Sequence, residues 1–149
     1  MIRSYLIFFL FALSCNSVNQ KVSQNMIPFD ILFAHEIGGK TTQEILLVTD
    51  KEALNTIYTL ISKNQQPSFD LPEIDFELDM IVVFFMGEKT TGGHGVTVNK
   101  IQENSSTINI HYSHSSPNPT DMVTLGITQP YCIVKMPKNA KELKFIKQK

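Results

Sequence analysis

The stretch Met80-Ile81-Val82-Val83-Phe84-Phe85-Met86 consists of seven consecutive apolar residues, and it decides the fold. A strand with one face in water alternates between apolar and polar side chains, whereas this run presents apolar side chains on both faces. Its β-branched and aromatic residues favour a strand over a helix. We therefore expect a central strand that is buried on both faces and forms the core of the fold.

The segments before this strand predict two further strands and one helix. Ile31 to Ala34 and Ile45 to Val48 are short apolar runs separated by a Gly-Gly pair, a pattern typical of strands. After a candidate N-cap, Thr49 or Asp50, apolar residues recur at the spacing of one helical face. The sequence therefore predicts one main helix near residues 50–62.

Short runs of strand type continue after the central strand. They are Val96 to Val98, Ile108 to Tyr112, Tyr131 to Val134 and Leu143 to Phe145. One helix among about six to eight strands predicts an α+β domain built on a curved antiparallel β-sheet, as a barrel or a sandwich. Lysines interleave with the last apolar run, which indicates a charged edge strand; binding of anionic lipid by these lysines is the alternative.

Length and charge limit the function classes. A chain of 149 residues with 42% hydrophobic residues suits one globular domain. Thirteen basic and fourteen acidic residues give no positive field that would attract nucleic acid. Arg3 is the only arginine, so the planar fork that commonly recognises phosphates is absent from the rest of the chain. We expect no nucleic-acid partner.

The N-terminal residues predict export and anchoring. Arg3 precedes the apolar run Tyr5 to Leu13, which has the length of a signal-peptide core and falls short of the about 20 residues that a membrane-spanning helix needs. Ala12-Leu13-Ser14-Cys15 resembles the lipobox of bacterial lipoproteins, in which the cysteine thiol is acylated with fatty acids and becomes the new N-terminus. An ordinary signal peptide or an unprocessed anchor is the alternative.

These features predict three segments: a signal peptide over residues 1–14, a flexible polar tether over residues 15–25 that begins at lipidated Cys15, and a single domain over residues 26–149. The residues that follow Cys15 are not acidic, and we expect a membrane-anchored lipoprotein of the bacterial cell envelope that faces the periplasm. With Cys15 acylated, Cys132 has no partner for a disulfide. Its apolar neighbours predict a small buried hydrophobic residue.

Residues 87–95 form a glycine-rich loop that contains four of the seven glycines. A phosphate-binding loop would need Gly-Lys followed by Ser or Thr at the start of a helix, whereas these glycines precede the strand at Val96. The geometry of a hairpin explains them better, because glycine adopts backbone angles that other residues avoid. We therefore predict an irregular turn without a phosphate ligand.

Several motifs in this half of the chain resemble one family. Phe84 to His94 (FFMGEKTTGGH) is similar to the central signature of the C-terminal domain of the PrcB family, named for a subunit of a spirochaete surface protease complex. Pro117 to Thr124 and Thr128 to Pro137 resemble the closing segment of that family, and the resemblance extends from Thr49 to Pro137. The family commonly has Tyr after the Gly-Gly pair, where this chain has His94.

The resemblance implies a lipid-anchored accessory domain whose partner is a protein, such as a secreted or surface protease, and it attaches no catalytic residue to the motifs. The candidate partner-binding residues lie in the two motif loops: Thr90, Thr91, Gly92, Gly93, His94, Pro117, Pro119 and Asp121. The first loop also resembles, more weakly, the Thr-Thr-Gly-aromatic loop of chagasin-type cysteine-protease inhibitors. Protease inhibition is therefore the alternative function.

A metal-dependent enzyme is the third reading. The acidic segment Asp70 to Asp79 lacks the order of ligands of a calcium loop. His111 and His114 are three residues apart in a strand, a spacing that sends them to opposite faces, and no Gly-x-Ser-x-Gly nucleophile motif occurs. We predict no metal ligand, no cofactor and no catalytic residue.

Overall fold

The computed structural model describes residues 25–63, 70 and 72–149. The predicted signal peptide, Cys15 and the tether up to residue 24 lie outside these described residues. Within the described ranges, no helix is long and apolar enough to cross a membrane.

Ten strands and one helix are found in the described part of the chain. They follow in the order β1 (Asn25–Met26), β2 (Asp30–His35), β3 (Gln43–Val48), α1 (Lys51–Ser62), β4 (Asp79–Met86), β5 (Lys89–Thr91), β6 (Gly95–Glu103), β7 (Thr107–Ser115), β8 (Leu125–Thr128), β9 (Tyr131–Pro137) and β10 (Glu142–Gln148). The predicted α+β class is confirmed. The number of strands exceeds the expected six to eight because β1, β5 and β8 have only two to four residues each, too few to show a period in the sequence.

The strands form two open four-stranded sheets and one pair. We call the sheet of order β2-β9-β4-β3 the helix-side sheet and the sheet of order β1-β6-β7-β10 the outer sheet, while β5 pairs with β8. The arrangement is sandwich-like. One pair departs from antiparallel order, since β10 runs parallel to β7. The short connection between β9 and β10 crosses from one sheet to the other, so β10 starts at the end where β9 stops and runs in the direction of β7.

The alternation of side chains along β4 explains its uniformly apolar sequence. Val82 and Phe84 point into the core between the two sheets, whereas Ile81, Val83 and Phe85 point to the opposite face, which packs against α1. β4 lies between β3 and β9. The predicted central strand, buried on both faces, is confirmed.

The helix covers the second face of the helix-side sheet. Asp50 is its N-cap, and the Asp50 carboxylate accepts a hydrogen bond of 2.8 Å from the backbone N–H of Ala53, which satisfies a donor that the first turn leaves free. Leu54, Ile57 and Ile61 are buried against the sheet. The helix expected near residues 50–62 is confirmed.

The connections determine which residues gather at each end of the sandwich. β2 and β3 lie at opposite edges of the helix-side sheet, so residues 36–42 cross one end of it. The same end receives residues 87–94 and 116–130, and we call it the lobe end. At the other end, which we call the β1 end, Asn25 is paired with Glu103.

Candidate functional site

The two motif loops predicted from the sequence meet at the lobe end. β5 and β8 form an irregular antiparallel pair in which Lys89 is opposite Thr128 and Thr91 is opposite Leu125. The hydroxyl of the buried Thr128 donates to the Thr91 carbonyl at 2.9 Å, and the N–H of Gly92 donates to the Thr124 carbonyl at 2.9 Å. We call β5, β8 and residues 92–94 and 116–124 the β5–β8 lobe.

The Gly-Gly pair allows the two loops to approach closely. Gly93 has a φ of +81°, and a Cβ there would lie 3.4 Å from the Cβ of Pro117. Gly92 has no positive φ, but a Cβ there would lie 3.2 Å from Oε2 of Glu36. We expected unusual backbone angles at both glycines, and this holds for Gly93 alone, since Gly92 is required for space.

Glu36 is part of the site although the sequence did not indicate it. Its Oε2 accepts a hydrogen bond of 2.9 Å from the N–H of Gly93, which is 57 residues away in the chain. The carbonyl of Glu36 accepts from the N–H of Gln129, and the Gln129 carbonyl accepts from the N–H of Gly39. The segment between β2 and β3 thus fastens the lobe to the helix-side sheet.

Thr91 and His94 form a hydroxyl–imidazole pair of 3.1 Å between Oγ1 and Nε2. Nδ1 of His94 is shielded from solvent and has no hydrogen-bond partner among the described residues. An unpaired buried N–H is less favourable than an unpaired acceptor nitrogen, so the preferred tautomer carries its proton on Nε2 and donates it to Thr91. The pair links the two ends of the turn between β5 and β6.

The second motif loop is held by its own side chains. Oδ2 of Asp121 accepts from the backbone N–H of Asn118 at 2.8 Å and from Nδ2 of Asn118 at 3.1 Å. Thr90, Gly93, Pro119 and Asp121 are exposed, whereas Thr91, His94 and Pro117 are half-buried and Gly92 is buried. The eight candidate residues therefore lie in one lobe, but only part of them is open to a partner.

Three apolar side chains of the lobe lie in solvent, and sequence reasoning missed them. Met122, Leu125 and Ile127 are 101%, 87% and 63% exposed. Leu125 and Ile127 alternate along β8 and share one face, opposite to buried Thr128. We call these three residues the apolar strip. The alternation of apolar and polar residues could not identify β8 as a strand, because β8 has only four residues and one of them is glycine.

Cys132 matches its expected role as a buried hydrophobic residue. It lies fully buried in the core between the sheets, and burial raises the pKa of its thiol to about 11 although the backbone of Val98 opposes the shift. The thiol is therefore protonated at neutral pH and is a poor nucleophile. Among residues 25–63, 70 and 72–149, no group of three or more His, Cys, Asp or Glu side chains could hold a metal ion.

The two strand histidines point to opposite faces, as expected. His111 lies opposite Lys100 and beside Ile146 in the outer sheet, and neither of its ring nitrogens has a partner in the described ranges. His114 packs near the ring of Tyr112 at 5.7 Å. Burial and then the charge of Lys100 lower the pKa of His111, while burial followed by the charges of Lys147 and Lys89 lowers the pKa of His114.

These shifts predict that the domain loses stability in mild acid. A histidine whose pKa is lowered by folding binds its proton more readily in the unfolded chain, so its contribution to stability is complete above the unfolded pKa of about 6.5 and is lost as the pH falls towards the folded value. We expect the free energy of unfolding in urea to decrease from pH 7 to pH 5.5, above the range where carboxylates titrate. The variant with both His111→Gln and His114→Gln should show a smaller decrease; an equal decrease in both proteins would contradict the assignment.

The comparison with protein families places the lobe inside a known pattern. Residues 80–137 match the model of the family described as PrcB C-terminal, while no curated protein and no solved structure gives a match. The match runs from β4 to the end of β9 and includes all eight candidate residues; it is shorter than the resemblance expected from Thr49, and it leaves out α1 and Glu36. The resemblance predicted from the sequence is confirmed for residues 80–137, which carry the PrcB C-terminal pattern.

Proposed function

We propose that this chain is a non-enzymatic, protein-binding accessory subunit that assists an extracytoplasmic protease complex, and that the β5–β8 lobe binds the partner. The observation that carries the proposal is the apolar strip. Its three side chains are the most exposed large apolar groups on the lobe, and large apolar side chains gathered at the surface mark interaction sites. The family match contains the whole lobe, and the family is named for a protease-complex subunit.

The chemistry of the lobe supports binding over catalysis. A hydroxyl nucleophile needs a base that accepts its proton and a third group that orients the base. His94 donates to Thr91 in the preferred tautomer, and the nearby carboxylate of Glu36 accepts from the Gly93 backbone. Both groups are therefore used to hold the turn.

The alternative, inhibition by a chagasin-like loop, has less support from the geometry. An inhibitory loop has to enter the cleft of a protease. Here Thr91 is paired with β8 and Gly92 is buried, so the centre of the Thr-Thr-Gly-Gly motif faces the domain. Leu125 and Ile127 of the apolar strip lie on β8 and face solvent instead, which favours contact with a partner surface.

We propose further that Cys15 is the lipid anchor and that the protein faces the periplasm. The lipobox-like residues before Cys15 support the anchor. The fold is compatible with a tethered domain, because the described chain begins at Asn25 at the β1 end and the lobe lies at the other end of β6. A strand of nine residues at about 3.3 Å per residue separates the β1 end from the lobe by roughly 25 Å.

Capture of the partner tests the proposal. We expect the full-length protein, solubilised from membranes in detergent, to retain an extracytoplasmic protease whose activity is not lowered. The Leu125→Ser/Ile127→Ser variant should retain at least tenfold less of this protease than the wild type does. The reason is that apolar residues at the centre of an interface contribute about 1–2 kcal/mol each to binding. The variants Thr91→Ala and His94→Ala test whether the turn beside the apolar strip also contributes to capture of the protease.

Leu78→Ser is the matched control, since Leu78 is 69% exposed on the segment before β4, outside the lobe. It should leave capture unchanged, and thermal unfolding of every variant should show intact folding. Stoichiometric loss of protease activity would support the inhibitor instead. Equal capture by wild type and the Leu125→Ser/Ile127→Ser variant would show that the lobe is not the binding surface.

A further inference from the structure

We infer that β8 binds an extended segment of the partner as an additional strand, and that this segment carries apolar side chains flanked by basic ones. The inference rests on the proposed function and specifies the chemistry of the partner. It follows from three properties of the lobe: the pairing of β8, the exposure of its apolar face and the charges around it.

One edge of β8 has no partner strand among the described residues. Within the described residues β8 pairs only with β5, and successive residues direct their backbone groups to alternate edges. The Pro130 carbonyl accepts from Met86 on the β4–β5 side, whereas Gln129 bonds to Glu36 and Gly39 on the other side. Residues 36–39 reach this second edge at Gln129, directly after the last residue of β8.

This open edge coincides with the apolar strip. An exposed edge strand with apolar side chains is a template for pairing with another chain, and native proteins usually protect such edges with charge, proline or a covering segment. Leu125 and Ile127 of β8 instead hold two large apolar groups in water. Main-chain hydrogen bonds to the edge, together with apolar contacts on every second residue, are the two components of recognition by strand addition.

Three exposed carboxylates lie on the lobe or next to it. Asp121 directly precedes Met122, Glu88 directly precedes β5, and Glu36 lies at the end of β8; all three are exposed. No salt bridge to these carboxylates occurs among the described residues. Lys89 is the one cation of β5, and its charge helps to lower the pKa of His114 in the outer sheet. The carboxylates favour a partner with lysine or arginine beside its apolar residues, and they disfavour an anionic membrane surface.

The test uses synthetic nine-residue peptides with valine and threonine alternating in the centre and two lysines at each end. Binding to the full-length protein in detergent is followed by fluorescence anisotropy. We expect the lysine-ended peptide to bind at least tenfold more tightly than the same peptide with glutamates at its ends. A version with N-methylated backbone amides in the centre, which cannot donate hydrogen bonds to β8, should also bind at least tenfold more weakly.

Variants of the protein separate the contributions. Leu125→Ser/Ile127→Ser should abolish peptide binding, and Glu88→Gln/Asp121→Asn should weaken the lysine-ended peptide and reduce its dependence on salt. The matched controls Leu78→Ser and Glu77→Gln lie outside the lobe and should leave the affinity for the lysine-ended peptide unchanged. Asn at position 121 keeps an oxygen that can accept from Asn118, which preserves the loop.

Four outcomes would overturn the inference. They are absence of binding up to millimolar peptide, equal binding of the lysine-ended and N-methylated peptides, self-association of the protein that the Leu125→Ser/Ile127→Ser variant abolishes, and binding to anionic lipid vesicles that the same variant abolishes. Capture of a protease without peptide binding would overturn the strand-addition inference and leave the proposed function standing. Peptide binding without protease capture would overturn the proposed function and leave the strand-addition inference standing.

Discussion

The Phe84→Ala variant is expected to lose about 3–5 kcal/mol of the free energy of unfolding, the range measured when large aromatic residues are removed from protein cores. Phe84 is 1% exposed at the centre of β4. Its ring contacts the rings of Tyr112 and Phe145, with centroids 5.1 and 5.9 Å away. β3 and β9 hold β4 on both sides, so the cavity left by the ring cannot close by movement of the strand.

Urea unfolding of the wild type and the variant at pH 7 measures this loss. Leu125→Ala is the control, because Leu125 is apolar but 87% exposed on the lobe, and truncation of such a residue changes stability by about 0.5 kcal/mol or less. A loss below 1 kcal/mol for Phe84→Ala, or similar losses for the two variants, would contradict the position of β4 at the centre of the core.

The elements predicted correctly are those in which the pattern of apolar residues along the sequence follows the pattern of buried positions. β4 is apolar at every position after Asp79 because each of its faces packs against a different layer. α1 shows a helical period because one of its faces is buried and the other is in water, and Asp50 marks its start. In both cases the environment of each residue repeats along the chain, so a local pattern is sufficient to identify the element.

Pairing partners were harder to predict, because they depend on the whole chain. β2 and β3 were identified as strands, but no local pattern places them at opposite edges of one sheet. The parallel direction of β10 follows from the crossover after β9. Both features depend on how the layers stack, and a single sequence contains this information only indirectly.

The site shows the same division. The glycines and the two motif loops were identified through the family resemblance, and they do meet, with Gly93 against Pro117. Glu36 was missed because its hydrogen bond to Gly93 of the lobe spans 57 residues, and a lone glutamate after a short strand has no distinctive pattern. The apolar strip was missed because exposed and buried apolar residues look alike in a sequence; only the packing shows that Leu125 and Ile127 face water.

Anchoring gives the second large expected effect. If Cys15 carries the lipid, Cys15→Ala should abolish incorporation of labelled fatty acid and move the protein from the membrane fraction to the soluble fraction, because one polar tether without acyl chains has no means of holding the domain at a bilayer. Metabolic labelling followed by fractionation measures both effects. The substitution lies before β1, so thermal unfolding of the domain should stay unchanged.

Cys132→Ala is the matched control, since it removes the other cysteine of the chain. Cys132 is buried between the sheets with a protonated thiol, where an acyl chain cannot be attached without unfolding the core. This variant should keep its label and its place in the membrane fraction. Continued fatty-acid labelling of the Cys15→Ala variant would contradict the assignment of Cys15 as the anchor. Loss of the label in Cys132→Ala alone would show that Cys132 carries the lipid.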